Sequence, residues 1–301
     1  MEVPLTNNPT LKFAVEALLN KANSRGDAVL GATAFNKMVF LLYKRLKRKG
    51  KQLDLRLPYC WYLWGPFIAH AEFEHEVGVP LDYYVPKGEH TRVIDNVSDV
   101  EIPIAEKRLI EKEIDKMLAE FDNNGIINLD LLLNRAYELA PYEFQKVFNR
   151  SFRPELNKLR SYSVSKEEIE AYLDRLLETY PEKEMEELYD VFLEWDDTFR
   201  LALENDTSRT YVLAEEFWGV FCKLLRVKQR YGVSRDTIIN WSFSFKESLH
   251  QYENKLENER NDLLGIHFEK EQTDVKVQRI VGDVMELSHK IAIEYKPVKE
   301  V

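Results

Sequence analysis

Apolar side chains recur three and four positions apart through most of this chain, the spacing that lines one face of an α-helix. Leu11, Val15, Leu18, Leu19 and Ala22 mark a first helix ending near Arg25-Gly26. Asn8-Pro9 opens it, with proline at the first helical position, where its missing N–H costs nothing. Phe35, Met38, Val39, Leu42, Tyr43 and Leu46 mark a second helix over roughly 34–49. Thr33 is placed to accept its first free backbone N–H groups, and Gly50 to end it in a left-handed turn. The period then changes to two. Leu53, Leu55 and Leu57 alternate with polar residues, and Pro58 argues against a helix, so 51–63 is expected to be extended. Pro66 can open a third helix containing Phe67, Ala71 and Phe73, closed by Gly78 and Pro80. Leu81–Val85 and Thr91–Ile94, separated by Pro86-Lys87-Gly88, form a hairpin candidate.

From Pro103 onward the helical period dominates. Ile104–Phe121 is amphipathic and ends at Asn123-Asn124-Gly125, Leu129–Leu139 stops before Pro141, and Tyr142–Phe148 is short. Ser165 and Glu168 match a capping box, in which each side chain satisfies a backbone N–H near the other, and open a helix that Pro181 stops after Tyr180. Helices over 182–203, 211–231, 234–264 and 275–295 complete the set. The expectation is a mainly α protein. Residues 1–100 would form a winged-helix-like helical unit with a small β hairpin, its β structure confined to about 52–100. Residues 101–301 would form a long α-helical domain, with a second boundary candidate at 150–165.

Composition agrees with that pattern. Of 301 residues, 45% are hydrophobic and 12% aromatic, enough for a sizeable core, while only 11 Gly and 11 Pro interrupt helices. Cys60 and Cys222 lie far apart in apolar surroundings and suit two reduced thiols better than a disulfide framework. The N-terminus lacks a basic-then-apolar leader, and no run approaches the roughly 18 apolar residues of a membrane span. A cytoplasmic location without membrane partners is therefore expected.

Charge is uneven. Residues 1–50 carry nine Lys or Arg against three Asp or Glu, residues 51–100 four against eight, and the whole chain is −10. An acidic body is a poor wrapper of nucleic acid, but a local basic patch can still meet DNA or an acidic protein.

The densest aromatic cluster is Tyr59-Cys60-Trp61-Tyr62-Leu63-Trp64, stopped by Gly65-Pro66. In an extended segment Tyr59, Trp61 and Leu63 share one side and Cys60, Tyr62 and Trp64 the other. Both sides are apolar, so one must pack on the helices and the second needs another cover. Lys37-Met38-Val39-Phe40-Leu41-Leu42-Tyr43, followed about 20 residues later by Tyr62-Leu63-Trp64-Gly65-Pro66, resembles the SocA-like antitoxin family, or Panacea domain. The resemblance covers about 5–100. It departs where Tyr62 replaces a usual Trp and Trp64 a usual Tyr, and it leaves the helical remainder unexplained. It implies a non-enzymatic domain that binds a toxin or presents a client to a protease, in the manner of toxin–antitoxin or defence systems. Lys37, Tyr43, Trp61, Tyr62, Trp64, Gly65 and Pro66 are the protein-contact candidates, since exposed Tyr and Trp dominate interface energetics.

An alternative is a DNA-binding regulator. The run Lys44-Arg45-Leu46-Lys47-Arg48-Lys49-Gly50-Lys51 holds six cations in eight positions, more than complementing a helix C-terminus requires. Lys44, Arg45, Lys47, Arg48, Lys49 and Lys51 could meet phosphates, which position a protein without specifying sequence. Residues 231–241 also resemble the turn and second helix of a helix-turn-helix. There Gly232 would turn, Ser234 would cap, Ile238 would face the core, and Arg235 and Asn240, with Lys246, would reach DNA.

Catalytic constellations do not stand out. His70 and Glu74 share a helix face, but His75 is rotated away from it, and two His at that spacing do not make a zinc site. No H-E-x-x-H, glycine-rich phosphate loop or G-x-S-x-G occurs. Glu182–Glu187 and Asp196-Asp197 are expected on solvated helix faces. No catalytic residue, metal or small-molecule cofactor is expected.

Overall fold

The structure is a computed structural model describing residues 7–24, 30–49, 53–86, 90–123, 126–159 and 164–266. Its contacts group the chain into two compact units, Met1–Leu256 and Glu257–Val301. The fold is mainly α with a small antiparallel sheet.

Helix α1, Pro9–Asn23, starts as its sequence dictates: the Asn8 side chain accepts from the Leu11 N–H at 2.9 Å. Helix α2 runs Ala32–Lys49. The Phe35 N–H bonds the Gly31 carbonyl at 2.9 Å, so Gly31 holds the cap position and Thr33 lies inside the first turn. Gly50 and Lys51 lie outside the described residues, as does the expected helix at 275–295. Leu53, Leu55 and Leu57 are all buried while Asp54 and Arg56 are exposed, in line with the alternation.

The hairpin does not form at 81–94. It is built from β1, Tyr59–Tyr62, and β2, Gly65–Ile68, with Tyr62 paired to Gly65 across a two-residue loop. Pro66 therefore opens no helix. It sits in a strand that bonds only β1, where the N–H it lacks is not needed by a second neighbour. Helix α3, His70–Val77, begins after it. Leu81–Tyr84 forms a helical turn, α4, because Leu81 and Tyr84 bury together at a spacing of three. The Thr91–Ile94 segment forms no strand, although the Thr91 N–H bonds the Leu30 carbonyl and the Arg92 N–H the Tyr84 carbonyl, each at 2.8 Å.

Helix α5 spans Ile104–Phe121, with Ile110, Ile114, Met117 and Phe121 buried along one face. Strands β3 (Asp122–Asn123) and β4 (Ile126–Ile127) form a second small hairpin, so β structure is not confined to 52–100. Helix α6 is Leu129–Tyr137. Helix α7 (Glu143–Val147) continues through a π-helical segment, Phe148–Phe152, into α8 (Arg153–Leu159). Pro154 cannot donate to the preceding turn, and the widened turn before it accommodates the loss. Ser165 and Glu168 form the expected capping box on α9, Lys166–Thr179. Residues 182–188 hold turns and a single 3₁₀ turn rather than the start of a long helix, and α10 begins later, at Tyr189–Asn205.

Helix α11 covers Thr210–Lys228, then β5, Arg230–Tyr231, pairs with β1 through Tyr59–Tyr231 and Cys60–Arg230. The sheet order β2-β1-β5 thus joins segments about 170 residues apart. Helix α12, Arg235–Leu263, ends where Gly265 takes φ 68° and the Ile266 N–H bonds the Asn261 carbonyl at 2.8 Å.

Aromatic rings fill the later half of the core. Tyr180 stacks on Phe192 at 4.2 Å, Trp195 on Phe217 at 4.6 Å and Phe148 on Trp218 at 4.7 Å. Asp196 is not on a solvated face: it is buried and receives the Arg200 guanidinium at 2.8 Å. No described helix is long and apolar enough to cross a membrane.

Candidate functional site

The aromatic hairpin is clamped from both sides. Trp61 faces α2 and α6, edge-on to Phe40 at 5.9 Å and tilted against Tyr137 at 6.1 Å. Tyr59 packs edge-on to Phe40 at 5.0 Å. The opposite side meets α11, where the Arg226 guanidinium lies between the rings of Tyr62, 5.2 Å away, and Trp241, 5.4 Å away. Helix α11 is the second cover that the two apolar sides require.

Helix α2 also satisfies the outer strand. Two adjacent side chains reach β2: the Asn36 carboxamide oxygen accepts from the Ile68 N–H at 2.9 Å, and the Lys37 ammonium nitrogen donates to the Pro66 carbonyl at 3.1 Å. Edge strands leave such groups without partners, and buried ones must be matched. Lys37 is only 2% exposed. Burial lowers its pKa to about 7, and the nearby Cys60 thiol offsets part of that. Gly65 has φ 94°, with Lys37 Cε and the Trp61 ring 3.7 Å, and the Tyr137 ring 3.8 Å, from where a Cβ would stand. On the far side the Trp218 indole N–H donates to the Leu63 carbonyl at 3.0 Å.

What remains outside this clamp is Trp64. It is 54% exposed at the hairpin tip and lies 4.5 Å over the Arg153 guanidinium. Arg153 is itself fixed by a two-pronged ion pair with Glu215 and by donation to the Asn149 side-chain oxygen at 3.2 Å. Of the seven protein-contact candidates, Lys37, Tyr43, Trp61, Gly65 and Pro66 are buried, Tyr62 is half-buried and Trp64 is exposed. Lys37, Trp61, Gly65 and Pro66 shape the tip, while Tyr43 packs against Tyr59 and Tyr231 at the other end of β1. Arg153 and Arg226, which hold its outer rings, carried no local signal in the sequence.

The basic run divides. Lys44 donates to the Tyr59 hydroxyl at 2.8 Å and lies 5.0–5.6 Å from the Tyr59, Phe40 and Tyr43 rings. Arg45 bonds Glu120, and Lys49 reaches the buried carboxylate of Glu113 at 2.7 Å. Lys47 and Arg48 are exposed. At the 231–241 corner Gly232 takes φ 65°, in van der Waals reach of Pro58, and Ser234 Oγ accepts from the Thr237 N–H at 3.3 Å, the expected turn and cap. A strand, however, stands between the two helices where a helical corner was expected. Arg235 and Asn240 are exposed. Beneath them Glu72 accepts from the Ser234 N–H at 3.0 Å and hydroxyl at 2.9 Å. Burial pushes its carboxyl up, but hydrogen bonds from Thr237 and Ser234 outweigh that and hold it below the usual range.

Among the described residues no three His, Cys, Asp or Glu side chains gather as metal ligands. No protein-family model, no curated protein and no solved structure matches the chain.

Proposed function

We propose that this chain is a non-enzymatic, antitoxin-like regulator that acts by stoichiometric protein contact, neutralising a toxin or presenting a client. The observation that carries the reading is Trp64: a large aromatic held more than half exposed on a hairpin tip that Lys37, Trp218 and Arg153 fix in place. A preorganised aromatic loses little freedom on binding, which is why such residues dominate interface energies. The resemblance of Lys37–Tyr43 and Tyr62–Pro66 to the SocA-like domain supports the partner class. The DNA-binding alternative has less to draw on, because Arg45 and Lys49 are already paired with carboxylates within the chain.

The test is to identify the partner by co-purification from the native cell and titrate it against wild type and Trp64→Ala. The variant should stay folded and lose about 2 kcal/mol or more of binding. Unchanged affinity with intact folding removes the tip from the contact. Turnover of a substrate by the purified chain, abolished by one polar substitution, overturns the non-enzymatic reading.

A further inference from the structure

We propose that the groove between α2 and α6 is a binding site for a single phosphoryl dianion, either free or carried on a small molecule. The groove encloses about 240 Å³ and is lined by Lys44, Arg45 and Arg48 from α2, by Arg135 and Glu138 around the end of α6, and by Leu41 and Leu139 as its apolar floor. Four cations therefore converge from two helices that are about 90 residues apart in sequence. A basic run that only complemented its own helix terminus would not recruit the fourth.

Charge balance defines the ligand. Arg45 bonds Glu120, Arg135 lies 3.6 Å from the same carboxylate, and Arg135 also bonds Glu138. These two arginines and two glutamates cancel. The carboxylates fix the guanidinium planes, a prearrangement suited to planar anion recognition. Lys44 and Arg48 are left as two net positive charges. Lys44 is held in place by the Tyr59 hydroxyl and three rings, with donors to spare beyond the one it uses. Arg48 is exposed, with no ion-pair partner among the described residues. A phosphate monoester carries roughly −1.5 to −2 at neutral pH and matches that surplus. The volume lies below the roughly 300–1,000 Å³ of drug-sized pockets, so it suits one phosphoryl group with a small attachment rather than a nucleobase. The acidic remainder of the chain disfavours extended contact with a nucleic-acid backbone.

The proposal is independent of the protein-contact reading. It is tested by calorimetric titration of the full chain, in phosphate-free buffer of low ionic strength, with inorganic phosphate, glycerol 3-phosphate and glycerol. Saturable one-to-one binding of either phosphate but not glycerol is expected, and the tighter of the two distinguishes a free ion from an ester. Arg48→Ala should weaken it about tenfold, the scale of one charge-assisted hydrogen bond, and Arg135→Ala should do the same from the opposite wall. Lys47→Ala, in the same run but outside the groove, should change it by less than about twofold. Absence of saturation at millimolar phosphate overturns the site. So does equal weakening by Lys47→Ala and Arg48→Ala, which would signal diffuse attraction. Duplex DNA binding more tightly than phosphate, and depending on both residues, would assign the run to a nucleic-acid backbone instead.

Discussion

The indole N–H of Trp218 donates to the carbonyl of Leu63 at 3.0 Å across 155 residues of sequence. Leu63 is in the loop of the aromatic hairpin, and Trp218 belongs to α11, whose ring also stacks on Phe148 at 4.7 Å. One bond thus ties the hairpin tip to the aromatic core. Trp218→Phe keeps most of the ring and deletes this donor, leaving the part-buried Leu63 carbonyl only the longer contact from the Tyr137 hydroxyl at 3.5 Å. Unfolding in urea should show a loss of about 0.5–1.5 kcal/mol, and hydrogen exchange should show faster opening of the β1–β2 amides. Unchanged values would mean that water replaces the indole without cost.

Lys37 makes stability depend on pH in a defined direction. Its folded pKa, about 7, lies below the roughly 10.4 of an unfolded lysine. Below about 7 both states hold the proton and the burial penalty is fully present. Between about 7 and 10 the unfolded chain binds a proton that the folded chain does not, so stability from this group rises with pH. Denaturant titrations from pH 7 to about 8.5 should show wild type gaining on Lys37→Met. A constant difference across that range contradicts the buried titration. Above it the unfolded cysteines ionise while the buried thiols do not, which acts with the opposite sign.

Two glycines should respond oppositely to alanine. Gly65 sits at φ 94° with ordinary contact distances around its missing Cβ, so Gly65→Ala strains the backbone rather than the packing. Thermal melts should place its cost at about 1–2 kcal/mol. Gly219 lies inside α11 with nothing within 4 Å of a Cβ. Gly219→Ala should stabilise by about 0.5–1 kcal/mol. Equal effects at the two sites would show that the hairpin turn is not strained by a side chain.

The cysteines should be inert. Cys60 and Cys222 are both free and buried, and burial pushes the Cys60 thiol up to about 12. A thiol reagent at neutral pH should label neither residue in the native chain and both in denaturant. Rapid native labelling would reveal an opening of the β1–α11 contact.

The chain by itself determined its helices where the signal was local. The Asn8 and Ser165 caps, the apolar stripe of Ile104–Phe121 and the Leu53–Leu57 alternation all occur as read, because a cap or a helix face depends on residues within a few positions. Tertiary contact decided the rest. Pro66 looked like a helix start until α2 supplied Asn36 and Lys37 to the polar groups of β2, which made an edge strand the cheaper state. Leu81 and Tyr84 became a helical turn because both bury together, a partner choice that alternation along 81–85 could not encode. The two sides of 59–64 were legible as apolar, but only the packing of α2 and α6 against Trp61 decided that Trp64, and not Trp61, faces solvent. Arg135 joined the basic run from a helix that shares no motif with it. Local periodicity fixes which faces are apolar. Which face meets which neighbour is set by packing between segments up to about 170 residues apart, and no short window of sequence contains both partners.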